Sequence, residues 1–386
     1  MIGGLSIMPP LHAQTPRHTY HGFRPGELWF DTDGNAINAH GGGILFHEGV
    51  YYWFGEYRHG RDRPREERAT PGVSCYSSTD LYNWTFEGIV LETENEAGHD
   101  IERGAIVERP KVIFNERTGQ FVMWFHLELK GQGYRAARAA VAIADSPTGP
   151  YAFVQSNRPL AGMWPRGFDD DDRRPVPGEL ELEWWTPEWS AAVRQGLFVR
   201  RDLEGGQMSR DQTVFVDTAG TAYQIAAAEE NLSLHVRELD EEYSDFTGNW
   251  IRILPGGHNE APAIFLHEGT YYLLASGATG WDPNDARSFA APSIWGPWRP
   301  LGNPAEGVNP TNGMGPERTF GAQSTYILPV QGRPSAFIAM FDMWRPRNQI
   351  DSRYVWLPIT LRDGRFTVRW LPEWDLSVFD EPDRRR

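Results

Sequence analysis

NEAPAIFLHEGTYYLLAS, residues 259–276, contains a polar residue, a short apolar run, a turn with Gly, and a second run rich in Tyr and Leu. Two apolar runs joined by so short a polar turn predict a β-hairpin. The same order recurs four more times along the chain, with a polar residue ahead of each first run. The other four stretches are residues 38–56, 108–126, 210–226 and 321–341.

Repeats of roughly 50 residues are typical of propellers, in which each repeat forms one blade. We therefore predict an all-β fold, a five-bladed β-propeller that occupies residues 26–386 as a single domain. The first strand of every blade lines the central axis, so the polar residues ahead of the hairpins should meet in one pocket. These residues are His40, Glu108, Asp211, Glu260 and Gln323.

The composition favours an all-β fold and argues against several classes of binding partner. The 386 residues include 40 Gly and 29 Pro, which suit the many turns of an all-β fold. The net charge of −15 argues against nucleic acid and against anionic membranes as partners. Cys75 is the single cysteine, so an intrachain disulfide is excluded. No apolar stretch approaches the roughly 18 residues that cross a bilayer.

Residues 1–25 are predicted to be a disordered tail or the remnant of a signal peptide, because residues 5–13 are apolar and end in a small residue before Gln14. We accordingly expect a periplasmic or secreted protein. Residues 27–33 are strand-like, and we expect them to pair with residues 370–379 and close the ring.

Residues 155–209 interrupt the repeats between blades two and three. We predict a long inserted loop over one face of the propeller, because a loop of this length is usually functional or disordered. Its three tryptophans favour a lid that shapes the substrate site. Its acidic run, residues 169–172, lacks the alternating spacing of a calcium loop and is interpreted as a solvated turn.

Three of the leading residues are carboxylic acids: Glu108, Asp211 and Glu260. A carboxyl group close to other carboxylates has a raised pKa, so it can hold a proton near neutral pH and protonate a leaving oxygen. Glycoside hydrolysis requires such an acid together with a group that activates water across the sugar ring. The alternative is that each carboxylate pairs with a neighbouring arginine and only stabilises its blade, but like charges around one axis are tolerated mainly at functional sites.

The five repeats, with Asp211 before VFVDTAGTAY and Glu260 before APAIFLHEGTYYLLAS, resemble the propellers of glycoside hydrolase family 43 over residues 27–380. That resemblance implies that Glu260 is the general acid and that Asp211 tunes its pKa and orients it. The family's base is an Asp in blade one. At that place this chain has Ala39-His40-Gly41 instead.

The exo-β-1,3-galactanase branch of the family also lacks this Asp, and DTDGNAINAHGGGIL, YYWFGE, ERPKVIFN, SGATGWDPNDAR and AQSTYILPV are similar to its motifs. The resemblance implies that Gln323 is the base through its imidic tautomer, that Glu108 is a further active-site residue, and that Glu56 contacts galactose. A neutral amide is a poor base, so Glu108 is a rival for holding the water.

Three further residues are predicted to contact the sugar. Tyr134 and Trp281 are candidate substrate contacts, although Trp281 could instead belong to the core between blades. Asn231 would either bind a sugar hydroxyl or belong to a polar turn. His40 would be either a hydrogen-bonded core group or a ligand of a structural cation such as calcium near the axis. The metal is left unknown, and no organic cofactor is expected.

The sequence therefore predicts an exo-acting, inverting glycoside hydrolase that releases terminal galactose from β-1,3-galactan and acts as a monomer. One alternative is an arabinofuranosidase or galactofuranosidase on the same fold. The other is a carbohydrate-binding propeller without catalysis, which the missing Asp of blade one would explain.

Overall fold

The five repeats form five antiparallel sheets, each of them one blade, as the sequence predicts. The computed structural model describes residues 18–59 and 72–380. The first two blades contain β1 His40–His47, β2 Val50–Glu56, β3 Gly72–Ser78, β4 Thr85–Glu92, β5 Ile106–Asn115, β6 Gln120–Glu128, β7 Arg138–Ala144 and β8 Ala152–Asn157.

The next two blades contain β9 Gln212–Val216, β10 Ala222–Ala228, β11 Ser233–Leu239, β12 Phe246–Ile253, β13 Asn259–His267, β14 Thr270–Gly277, β15 Arg287–Ala291 and β16 Arg299–Gly302. The fifth contains β17 Ala305–Glu306, β18 Gln323–Pro329, β19 Phe337–Met343, β20 Arg353–Arg362 and β21 Arg365–Arg369.

Each blade is one contiguous piece of chain, with its strands in sequence order from the axis outward. The fifth blade adds β17, which pairs in parallel with its outermost strand β21. Alternating strand directions place the start of every first strand and the end of every second strand on one face of the ring. The same face carries the connections from each blade to the next.

The ring closes differently from the prediction. Residues 27–33 form no strand; instead Phe23 makes a single bridge with Trp374. Phe23 is 2% exposed and stacks on Trp374 at 4.3 Å, so the tail predicted over residues 1–25 does not extend to residue 23. Rings, rather than a long ladder, fill the gap between blades one and five. The segment that resembles the end of a signal peptide, residues 5–13, lies outside the described residues.

The apolar core is divided among the gaps between neighbouring blades. Large rings fill much of it. Fully buried examples are Trp53, Trp84, Trp124 and Trp356. Within residues 18–59 and 72–380, no helix has the length and apolar composition needed to span a bilayer.

A backbone bulge recurs at the start of three inner strands. The register shifts just after His40, Glu108 and Glu260, and the residue that follows each of them is left-handed. These residues are Gly41, Arg109 and Ala261, with φ of 61°, 55° and 52°. A bulge bends its strand and re-aims a side chain. This bulge, shared by blades one, two and four, therefore changes the direction in which the neighbouring side chains point relative to the axis.

The insertion begins at residue 158, because β8 continues to Asn157. It is not a plain loop, since it contains two short helices, α1 Pro187–Arg194 and α2 Leu197–Arg201. The hydroxyl of Thr186 caps α1 and Pro187 occupies its first turn, the local signals that start a helix. The segment joins blade two to blade three on the face where the inner strands begin.

Candidate active site

Arg109 of blade two contacts side chains of three other blades. Its guanidinium lies 2.8 Å from Asp211 Oδ2 and donates to Gln323 Oε1 at 2.6 Å, while its backbone N–H donates to Glu56 Oε1 at 2.9 Å. The residue is 6% exposed, so these bonds form in a low-dielectric environment. Arg109 therefore fixes an acid of blade three and an amide of blade five from a position in blade two.

Glu260 is placed to hold a proton. Burial, and next the negative charge of Asp211, raise its pKa to about 8. The side-chain amide of Asn231 donates to Glu260 Oε1 at 2.6 Å. With Oε1 occupied by a donor, the proton of the neutral acid resides on Oε2. Asp211 pairs with Arg109 whereas Glu260 keeps a proton, so the two neighbouring carboxyl groups differ in their electrostatic surroundings.

The surroundings of Glu108 lower its pKa, whereas those of Glu260 raise its pKa. Burial alone would raise its pKa, but the hydrogen bond and charge of His126, with Arg58 and the hydroxyl of Tyr134, lower it to about 2. The hydroxyl of Tyr134 donates to Oε1 at 2.8 Å, His126 Nδ1 lies 3.4 Å from Oε2, and Arg58 lies 3.5 Å from Oε1. Glu108 is therefore ionised throughout the physiological range.

Gln323 has its whole amide engaged. Its Oε1 accepts from Arg109 at 2.6 Å and from the indole of Trp344 at 3.1 Å, and its Nε2 donates to Ser276 Oγ at 3.0 Å. Arg109 and Trp344 are obligate donors, so the amide can only present its oxygen to them. The orientation of Gln323 follows from its neighbours.

Two expected residues lie outside the open pocket. Glu56 is 1% exposed, and its carboxylate accepts from Arg58 and from the N–H of Arg109, so it holds these two residues in place; its contact with a sugar stays a prediction. Burial raises its pKa, opposed by Arg58. His40 is fully buried and stacks on Tyr354 at 5.2 Å, so four of the five leading residues surround the pocket, not five.

The glycines after His40 explain this packing. A Cβ on Gly41 would lie 2.3 Å from Glu56 Oε1, and one on Gly42 would lie 1.7 Å from the carbonyl oxygen of Phe54. The strand can therefore approach its neighbour only without side chains. Glu56 and Arg109 occupy the space that a side chain at Gly41 would take.

Aromatic rings surround the pocket. Trp281 is 46% exposed and meets Trp344 edge to face at 5.7 Å, which places it at the surface and not in the core between blades. Both rings, with Ser276 and Gln323, line a cavity of about 280 Å³. Tyr134 is 47% exposed, with its hydroxyl turned toward Glu108.

Two groups of side chains bring together atoms of the kind that bind a cation. Around His40 the nearest acid oxygen is Asp342 Oδ2 at 4.0 Å, which accepts from Gly41, whereas calcium takes about six to eight oxygen ligands. Ligand atoms of Glu108, His126 and Asp211 lie within 4.8 Å of one another. Arg58 and Arg109 already pair with these two carboxylates, so neither place fits a resident metal ion.

Several residues at the site were missed or undervalued in the sequence. The sequence marks Arg109 only as the neighbour of Glu108, and Glu56 is the one residue at the end of a second strand that the motifs indicate. Yet the second strands end on the face where the first strands begin, so their last residues belong to the site. That topological rule would have found Arg58, His126, Ser276 and Trp344.

Neither the family models nor the curated proteins that were searched match the chain. Solved structures do. A family 43 β-1,3-galactosidase solved with galactodeoxynojirimycin is 54% identical, with a TM-score of 0.86, covering 92% of this chain and 100% of that one. A second family 43 β-1,3-galactosidase is 37% identical, with a TM-score of 0.75, covering 93% of this chain and 64% of that one.

An exo-β-1,3-galactanase from Phanerochaete chrysosporium, solved with β-1,3-galactotriose, is 31% identical. Its TM-score is 0.71, and the alignment covers 92% of this chain and 68% of that one. The likeness therefore extends over nearly all of this chain and includes every blade.

Proposed function

Because this chain belongs to glycoside hydrolase family 43, we propose that it releases terminal galactose from β-1,3-galactan by exo-acting, inverting hydrolysis. The observation that supports this most directly is the pair of acids on blades three and four. Glu260 keeps a proton near neutral pH, while Asp211, paired with Arg109 at 2.8 Å, stays close enough to oppose its ionisation. Non-catalytic sugar binding does not require a carboxyl group of this kind.

In the proposed reaction Glu260 donates the proton on Oε2 to the glycosidic oxygen as the bond to the anomeric carbon breaks. Asn231 holds Oε1, so the acid cannot rotate freely and its proton faces the substrate. The negative charge of Asp211 raises the pKa of Glu260 and stabilises positive charge that develops on the sugar ring. A water on the opposite side of the ring completes the displacement with inversion.

The shape of the axis supports attack at a chain end. Lys111 of blade two is 1% exposed and donates to the carbonyl oxygen of Gly41 in blade one at 2.9 Å, below Glu56 and Arg109. A polysaccharide therefore cannot thread along the axis. A site closed from below accepts a terminal sugar and leaves the rest of the chain on the open face.

Glu108 and Gln323 remain the two candidates for activating the water, and their contacts differ in chemistry. The imidic tautomer of Gln323 would carry a proton on Oε1, the atom that faces the donors Arg109 and Trp344. Glu108 is ionised, though its low pKa makes it a weak base. The observed bonds favour Glu108 as the proton acceptor and Gln323 as the amide that positions Arg109.

Product analysis tests the proposal. The purified protein should release galactose as the first small product of β-1,3-galactan, and it should convert β-1,3-galactotriose into galactose and β-1,3-galactobiose. Proton NMR of the first turnovers should show α-galactose, the product of inversion at a β-linkage. Release of arabinose from arabinan, or of galactofuranose from a furanoside, with galactan left intact would establish the alternative specificity. A β-anomer as first product would exclude inversion.

A further inference from the structure

The exposed tryptophans of this protein are confined to one face. Among the described residues, Trp184, Trp185 and Trp281 are the tryptophans with more than a third of their surface exposed, at 48%, 64% and 46%. Trp281 lines the active-site cavity. Trp184 and Trp185 belong to the insertion, which lies on the same face of the ring, and the proposed reaction does not use them.

Trp185 lies on the side of the pocket that carries the acid. Its ring centroid is 5.5 Å from that of His258, two residues before Glu260 in the chain. The same insertion reaches this side again through Arg201, which pairs with Glu230 at 3.0 Å, next to Asn231. The acid protonates the leaving oxygen, so the remainder of a cleaved polysaccharide departs on this side.

The two indoles are held in place before any ligand binds. Trp184 stacks on Trp189 at 5.1 Å with an angle of 27°, and Trp185 packs on the same ring at 5.0 Å. Trp189 is 3% exposed. The helix beneath them is fixed to blade three by Arg252, which donates to the carbonyl oxygen of Val193 at 2.8 Å. A rigid aromatic surface loses little conformational entropy when a ligand stacks on it.

Trp185 also has an unfavourable backbone. Its φ is 72°, in the left-handed region, where Cβ crowds the following carbonyl oxygen and bulky residues are seldom found. Apolar packing does not account for it, because 64% of the side chain remains in contact with solvent. Strain of this kind that persists at an exposed aromatic residue near a site points to a ligand.

We propose that Trp184 and Trp185 form an aromatic platform that binds the leaving part of a β-1,3-galactan chain, beyond the bond that is cleaved. The inference rests on the proposed function and adds a subsite to it. A pyranose presents a face of C–H groups that packs on an indole ring, and the adjoining hydroxyls remain in water. The platform increases turnover of chains and is indifferent to substrates that lack sugars on the leaving side.

The test replaces Trp185 by glycine, which adopts a φ of 72° without strain and removes the whole side chain. We compare β-1,3-galactotriose with β-D-galactosyl fluoride, whose leaving group is a single atom. For Trp185→Gly we expect kcat/KM on galactotriose to fall about tenfold, the size of one good aromatic contact, and kcat/KM on the fluoride to stay within about twofold. Trp185→Phe should recover most of the loss.

Phe86→Ala is the matched control, since Phe86 is 38% exposed on the outermost strand of blade one. Phe86→Ala should change kcat/KM neither on galactotriose nor on the fluoride. Unequal losses for Trp185→Gly on the two substrates support the platform. Equal losses, or no loss on galactotriose, overturn it, while the melting temperature of each variant shows whether it is folded. If the unmodified protein cleaves no galactan at all, the proposed function fails instead.

Discussion

At the scale of single residues, the reaction depends on the proton of Glu260. Because the acid must be protonated, and burial with Asp211 raises its pKa to about 8, kcat/KM should decline as the pH rises through about 8. Glu260→Gln should lower turnover of galactan by roughly three orders of magnitude and turnover of an activated aryl galactoside much less. Pre-steady-state and pH-rate measurements on both substrates check this, and equal losses would assign Glu260 to binding.

The same carboxyl group should make stability depend on pH. The unfolded protein loses this proton above about pH 4.5, whereas the folded protein keeps it to about pH 8, so stability falls over that interval. Glu260→Gln should therefore raise the free energy of unfolding by roughly 2 kcal/mol at pH 8 and leave it nearly unchanged at pH 4. Urea unfolding at the two pH values measures the difference. The same gain at both values would contradict the raised pKa.

Glu108 and Gln323 can be separated by chemical rescue. If Glu108 accepts the proton of water, Glu108→Ala should lose at least about a hundredfold in kcat, and azide should restore part of it by attacking from the vacated space. Gln323→Ala should also lose activity, because Arg109 loses a partner, but azide should not restore it. Rescue of Gln323→Ala, with none for Glu108→Ala, would instead identify the amide as the base.

At the scale of elements, the turn between β10 and β11 presents Asn231 to the acid. Glu229, Glu230 and Asn231 are all left-handed, with φ of 53°, 57° and 63°. Three such residues in succession cost on the order of 1 kcal/mol each. Arg252 compensates by donating to both oxygens of Glu229 at 2.6 Å. The turn is strained and is held by buried charge.

Removing the side chain of Asn231 should therefore release the acid without unfolding the turn. In Asn231→Gly the backbone relaxes, but Glu260 loses the donor that stabilises its ionised form. We expect the alkaline limb of the pH-rate profile to move to higher pH and kcat to fall about tenfold, because the proton is no longer confined to Oε2. Glu87→Gln, on the outer strand of blade one, is the control. An unchanged limb would mean that the Asn231 contact does not act on the acid.

At the scale of the whole molecule, the insertion is part of the fold as well as of the site. It covers Leu232 and the fully buried Trp250, and its carbonyl groups accept from Arg252. Deleting residues 160–207 should therefore cost at least roughly 3 kcal/mol of stability, because buried apolar contacts and hydrogen bonds to the blades are lost. Thermal unfolding checks this, and Trp185→Gly, which should leave the melting temperature unchanged, is the comparison. A deletion variant as stable as the full chain would show that the insertion only rests on the blades.

Local patterns accounted for most of what was predicted correctly. Alternating apolar runs, turns on Gly and the polar residue ahead of each first strand are visible within about 20 residues, the length of one hairpin. They located the five blades and the acids Glu108, Asp211 and Glu260. His40 was misplaced because the pattern marks a position at the head of a strand, whereas the glycines after it set the direction of its side chain.

By itself, then, the sequence determined the five hairpins, the blade order and the carboxyl groups that the axis brings together, because each of these follows from neighbours along the chain. Only the tertiary structure decided which charges meet. Arg109 and Gln323 are separated by 214 positions and bond across the axis once the ring has closed. The pKa of Glu260, the burial of Glu56 and the bonds that orient Gln323 all depend on such contacts between blades. A low dielectric exists at the axis only when five blades exclude water from it, so these properties could not be derived from any one repeat.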